Sequence, residues 1–244
     1  MGVYVFGMAV AFLAGMIQGC AGFGLGLASV PCLMLFAAPA VVVPTVLGMS
    51  MVNSFVTALH AQRHLLWRLV GMLALGSIAG IPLGVYALRV IDPNIMSIGV
   101  AVLILLFVAA MATGWTRPLR RPQRALLPLG CVCGILAGST SMSGPPLILF
   151  LANQDTPKDV FRANLISYFF LEGVFTLMLY LAWGMYTLEV ARLTAALVPA
   201  VLLGTTVGIR LSKYLPEAVF RRIVLIGLTL IATVLLVTSL GATL

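Results

Sequence analysis

Two glycine- and hydroxyl-rich runs carry most of the residues in this chain that could recognise a solute. The first is Gly19-Cys20-Ala21-Gly22-Phe23-Gly24-Leu25-Gly26, and the second is Gly138-Ser139-Thr140-Ser141-Met142-Ser143-Gly144-Pro145-Pro146. Each interrupts an apolar stretch. A helix that starts at such a break presents unpaired backbone amides and a partial positive charge, which attract an anion without any charged side chain. Gly19, Gly22 and Gly24 would let backbone approach a ligand closely, with Cys20 and Phe23 beside them; Gly138 and Gly144 flank the hydroxyl donors of Ser139, Thr140, Ser141 and Ser143. Tight helix packing is the competing reading of the same small residues.

What is missing sets the sign of the solute. Cation pathways need acidic or carbonyl-rich coordination, yet the long apolar segments hold a single carboxylate, Glu172, and no aspartate. A small anion is therefore expected, held by dipoles and hydroxyls. Glu172 falls about 10 residues into its segment, where a charged carboxylate is expensive, which makes it the candidate carrier of a coupling proton. Gln18, Asn53 and Asn164 are further intramembrane polar groups and pathway candidates, each with an alternative role as interhelical glue. Arg162 could draw an anion inward or mark topology; His60, His64 and Trp67 read as interfacial anchors. No enzymatic activity, cofactor or metal is expected.

The elements that must position these residues follow from composition. Residues of the AVILMFWYC set make up 62% of the chain and charged residues 8%, and the first 62 positions contain no Lys, Arg, Asp or Glu. That is a multi-pass membrane protein, not a soluble domain. A net charge of +8 would suggest nucleic acid in a soluble protein, but here the basic residues sit in short connections between apolar runs. A helix needs about 20 apolar residues to cross the hydrocarbon core. Six segments satisfy this: 40 to 60, 69 to 88, 94 to 113, 163 to 185, 190 to 209 and 220 to 240. Four fall short, 3 to 17, 23 to 36, 125 to 138 and 143 to 152, and each pair flanks one break. Such a pair is either a re-entrant hairpin or two tilted helices. Irregular backbone at that depth must be buried in protein or line a cavity.

The order short, short, long, long, long occurs twice. Pro31 to Phe36 resembles Pro145 to Phe150, and small residues every four positions, Gly76, Gly80 and Gly84, match Ala200, Gly204 and Gly208. The fold class expected is all-α: a transmembrane bundle of two inverted-topology repeats, residues 1 to 114 and 125 to 244, joined by a basic cytoplasmic linker at 115 to 124. With that linker in the cytoplasm, all but Arg89 and Arg192 of the 14 basic residues fall inside and both termini lie outside. The uncharged start of the chain lacks the basic region of a secretory signal, so the N-terminus is expected to be retained.

Gly15 to Gly24 leading into Val30-Pro31, the segment Gly134 to Pro146, and Trp67 followed by the Gly76, Gly80, Gly84 ladder together resemble the sulfite exporter TauE/SafE family of prokaryotic membrane proteins. The resemblance covers nearly the whole chain. It implies a multi-pass permease of the bacterial inner membrane that exports sulfite or moves organosulfonates and related sulfur anions. Relatives are often richer in glycine where this chain reads Ser139 to Ser143, so the resemblance implies a more hydroxylated pocket here. The expected partners are the lipid bilayer and a small anion, with homo-oligomerisation left open and nucleic acid excluded. Two other function classes compete: a thiol-disulfide electron carrier using Cys20 with Cys131 or Cys133, and a non-transporting assembly factor. Cys131 and Cys133, two apart on a helix, point to nearly opposite faces and cannot easily bridge, so packing is their expected role.

Overall fold

The structure is a computed structural model that describes residues 2–61, 65–113, 122–152, 158–212, 214 and 217–241. Among them are ten α-helices and no strand: α1 (Gly2–Ala21), α2 (Leu25–Met34), α3 (Pro39–Ala61), α4 (Trp67–Val90), α5 (Pro93–Ala112), α6 (Pro122–Thr140), α7 (Gly144–Ala152), α8 (Lys158–Ala182), α9 (Leu188–Leu211) and α10 (Glu217–Gly241). Six of them, α3, α4, α5, α8, α9 and α10, are long and apolar enough to cross a membrane. Their outward faces are apolar too. Leu75, Leu106, Leu203 and Leu230 are all more than 60% exposed, a surface that water would not tolerate at this density and that lipid covers.

The helix starts are chemically marked. Pro39 and Pro93 occupy first-turn positions where a missing amide hydrogen costs nothing, and the Asp92 carboxylate accepts from Asn94 N–H at 2.8 Å ahead of α5. Thr187 caps α9 through Val190 N–H at 3.3 Å. Inside the helices, hydroxyls such as Thr45, Thr140 and Thr176 return to the carbonyl four residues earlier, which removes the penalty of an unpaired polar group in lipid.

The breaks are narrower than the runs that signal them. Helical bonding continues to the amides of Gly22, which donates to Gln18 O at 2.7 Å, and Ser141, which donates to Ala137 O at 3.0 Å. Only 22–24 and 141–143 leave the helix. The first arm of each pair is thus 20 and 19 residues long, not the shorter stretch that apolar counting suggests, while the second arms have 10 and 9. Glycine, serine and threonine stop a hydropathy count without stopping a helix whose neighbours are close.

Those neighbours are very close. On α4, a Cβ at Gly76, Gly80 or Gly84 would run into the backbone of α6 at Leu127, Cys131 or Ile135; on α6, one at Gly130, Gly134 or Gly138 would run into α4 at Leu73, Ser77 or Ile81. The seam between α1 and α9 is built likewise, with Gly15 and Gly19 against Val201 and Thr205, and Gly204 and Gly208 against Phe12 and Met16. Such contact replaces side-chain burial with backbone packing, the main attraction available between helices in lipid. Around these two pairs, α3 packs on α8 and α9, α8 also on α4, and α5 on α10. The short α2 and α7 lie inside, with Leu25, Val30, Leu147, Ile148 and Leu151 at most 1% exposed.

Candidate functional site

The two breaks line one cavity. Gly22 and Gly24 adopt left-handed backbone, φ 83° and 108°, which only glycine enters at no steric cost. In the second break Ser141 takes φ 52°, held there by its hydroxyl donating to Val43 O of α3 at 2.9 Å. A Cβ on Gly26 would overlap the Ser141 carbonyl oxygen, so glycine is what lets the start of α2 lie on the second break. Between them is a cavity of about 50 Å³, lined by Gln18, residues 23–27, Leu47, Ser50, Ala137, residues 141–144, Phe169, Glu172 and Gly173. One water needs about 10–15 Å³, so this space suits a few waters or one compact oxyanion stripped of its hydration.

The two helix starts at the cavity are not equivalent. The residue ahead of α2 is Gly24, which has no side chain to cap it, and the first helical bond is Ala28 N–H to Gly24 O at 3.0 Å. The amides of Leu25, Gly26 and Leu27 are therefore left for a ligand. At α7, Pro145 and Pro146 carry no amide hydrogen, and the Ser143 hydroxyl turns away from the helix to donate to Glu172 Oε2. Where the runs suggest two anion-binding helix ends, only the first is equipped as one. The second supplies a hydroxyl and a carboxyl.

Glu172 is buried at 3% exposure and sits in a continuous chain. Its Oε1 accepts from Tyr168 O–H at 2.6 Å, and Tyr168 meets Ser77 Oγ of α4 at 2.7 Å. Each hydroxyl owns one proton, so the chain Ser77, Tyr168, Glu172, Ser143 can run in either sense. With Glu172 ionised, Tyr168 and Ser143 both donate to it. With Glu172 protonated, its own O–H can serve Ser143 and release the Ser143 proton toward the cavity. Tyr168 and Ser77, which the sequence does not single out, join Glu172 in this chain, although Tyr168 lies four positions before Glu172 on one helix face.

Of the residues the sequence singles out, Gln18, Phe23, Gly24, Ser141, Ser143, Gly144 and Glu172 line the cavity. Gly19 and Gly138 lie in the backbone seams, and Gly138 O also accepts from the buried Tyr180 O–H at 2.7 Å. Cys20 donates to Gly208 O across the α1–α9 seam at 3.1 Å. Ser139 and Thr140 bond to Ile135 O and Leu136 O of their own helix. Gly22 packs on the Arg162 side chain, whose Nη2 donates to Gly19 O at 2.8 Å and so caps the negative end of α1. Asn164 ties α8 to the residue ahead of α4, accepting from Leu66 N–H at 2.9 Å. Asn53 Oδ1 accepts from Thr205 Oγ1 at 2.8 Å. Trp67 is 74% exposed at the start of α4, while the His60 and His64 side chains lie outside the described residues.

All four cysteines are free, Cys133 buried and the others half-buried. None lines the cavity. Replacing all four with alanine is expected to leave most of the oxyanion flux in place, measured in reconstituted vesicles; complete loss would favour thiol chemistry.

The comparisons with known proteins agree with this architecture. A family model described as "Sulfite exporter TauE/SafE" matches residues 7–235. A protein of Cupriavidus necator named "Probable sulfite/organosulfonate exporter TauE" is 27% identical over 217 residues, covering 85% of this chain and 84% of its own. No solved structure matches. With a family model spanning almost its whole length, this multi-pass helical chain belongs to the sulfite exporter TauE/SafE family.

Proposed function

We propose that the chain is a permease that exports a small sulfur oxyanion, sulfite or an organosulfonate, by alternating access around the cavity between its two breaks. The observation that carries the reading is the pairing, in one cavity, of uncapped α2 amides with the Ser143–Glu172 hydrogen bond. The amides fix the oxyanion. An anion seated beside Glu172 is opposed by a second negative charge unless the carboxyl holds a proton, and protonation also frees the Ser143 hydroxyl to donate to the anion. Anion and proton then occupy the site together.

The exporter belongs, on this reading, in the bacterial inner membrane, with the linker at 115 to 124 in the cytoplasm and both termini outside. An inverted repeat is supported by how contacts correspond between the halves: α1 on α9 with α6 on α4, and α3 on α9 with α8 on α4. Gly19 and Gly138 fill matching places in the two seams, and Gly22 and Ser141 are the matching positive-φ residues of the two breaks. Sulfite dianion leaving with one proton carries out one net negative charge, which gains about 2.3 kcal/mol at 100 mV inside-negative, while a sulfonate monoanion leaving with one proton is electroneutral and follows its own gradient.

Flux of sulfite and a panel of sulfonates from proteoliposomes tests this. Outward movement of at least one of them is expected, saturable and, for the sulfite dianion, accelerated by an inside-negative potential. Vesicles that move none of them would contradict it.

A further inference from the structure

Among the described residues, three buried side-chain polar atoms have no hydrogen-bond partner: Gln18 Oε1, Asn53 Nδ2 and Ser54 Oγ. Gln18 of α1 lines the cavity, and Asn53 and Ser54 fall within one helical turn of Ser50 of α3, which lines it too. From Ser50, the same face of α3 continues toward the helix C-terminus through Asn53, Ser54 and Thr57, at the three- and four-residue spacing that stacks side chains along one side. Asn53 and Ser54 are 0% exposed. Thr57 spends its hydroxyl on Asn53 O at 2.6 Å, and Asn53 Oδ1 is taken by Thr205, but the Asn53 amide hydrogens and the Ser54 hydroxyl are unspent.

Unpaired donors inside a lipid-embedded protein are expensive, and native interiors keep few of them. Elsewhere on α3 the problem is solved locally, as Thr45 does by bonding to Val41 O at 2.8 Å. The polar face leads from the cavity to the end of α3 that precedes residue 62, the end that positive-inside topology puts in the cytoplasm. We propose that Ser50, Asn53 and Ser54 of α3, with Gln18 of α1, line the cytoplasmic access path of the oxyanion, closed in this structure. This rests on the exporter reading and its orientation. The unspent donors of Asn53 and Ser54 suit an oxyanion, which brings only acceptors, and the Gln18 acceptor suits water travelling with it. The Thr205 hydroxyl, whose one proton is shared between Asn53 Oδ1 at 2.8 Å and Gly15 O at 3.1 Å, ties α9 to α3 and α1 and is the contact that must loosen for the path to open.

The test uses the cysteine-free protein in oriented vesicles, a membrane-impermeant maleimide, and methanesulfonate as the probe anion. Ser54→Cys and Ser50→Cys are expected to react with reagent on the cytoplasmic side, more slowly when methanesulfonate is present, whereas Thr45→Cys, beyond the cavity on α3, stays unreactive from that side. In parallel, Ser54→Ala is expected to lower methanesulfonate flux about tenfold, the worth of one hydrogen bond to a charged group, while its unfolding midpoint holds or rises because an unpaired group has gone. A purely structural serine would leave flux unchanged. Normal wild-type flux with both cysteines unreactive from the cytoplasm, or with Ser54→Ala at full rate, overturns the path alone; vesicles whose wild type carries no anion overturn the exporter reading together with it.

Discussion

Glu172→Gln makes oxyanion flux independent of pH. The glutamine keeps the shape of the carboxyl and can still accept from Tyr168, but its amide group can only donate to Ser143, so the Ser143 hydroxyl is permanently free to face the cavity. The wild type reaches that arrangement only when Glu172 holds a proton. The sign follows: a bound anion goes with the protonated carboxyl, so wild-type flux is greatest at low pH on the loading side and falls as pH rises. The limiting slope for one proton per anion is about tenfold per pH unit, and the variant should be flat. Methanesulfonate is the anion to use, because its own charge does not change over the range. A variant that keeps the wild-type profile and rate would remove Glu172 from the mechanism. Glu172→Ala is a poorer probe, since it strands the Ser143 hydroxyl at about 1–3 kcal/mol and leaves Tyr168 with Ser77 as its partner.

Gly80→Ala and Gly204→Ala each unseat a helix pair. At Gly80 the added methyl would meet the Cys131 carbonyl and approach Ile135 N to 2.9 Å; at Gly204 it would meet the Phe12 carbonyl and approach Met16 N to 3.0 Å. These are backbone atoms with no rotamer to retreat into, so the helices must separate, and the loss extends along a seam held by close approach. A cost of about 3 kcal/mol or more is expected at either site, read as the unfolding midpoint in detergent. Gly71→Ala and Gly227→Ala, where nothing lies within 4 Å, are the controls. They should be neutral or stabilising by up to about 1 kcal/mol, since alanine is the better helix former. Equal effects at all four positions would mean that the seams do not hold the bundle together.

The fold was legible because lipid makes strict demands. Apolar length, Pro39 and Pro93 at helix starts, and Asp92 ahead of Pro93 mark the long helices to within a few residues, the largest shift being at α8, which starts at Lys158 where apolar counting begins at 163. The break regions were legible as places and not as extents. Composition marks where backbone can depart from a helix, but whether it does at Gly19 or Gly22 depends on the opposing helix, and Gly19 stays helical against Thr205. The same limit applies to side chains. Cys20, Ser139 and Thr140 lie in a break-forming run yet point into seams or back to their own helix, a matter of rotation that spacing alone leaves open. The poverty of the α7 start was readable from Pro145 and Pro146, which cannot donate. Ser77 was not, because it reaches Tyr168 only after α4 and α8 pack.

On the proposed reading the oxyanion sits between the two breaks. Gly144 lines that cavity, and a side chain added there points toward Ile148 Cδ1 at 3.2 Å and the Phe169 ring at 3.6 Å, flexible neighbours that can yield. Binding of labelled sulfite to purified Gly144→Leu, compared with wild type at matched thermal midpoints, is the most direct measurement. The filled cavity is expected to lose the anion while the fold survives; wild-type affinity in a folded Gly144→Leu protein would place the substrate elsewhere and contradict a site between the breaks.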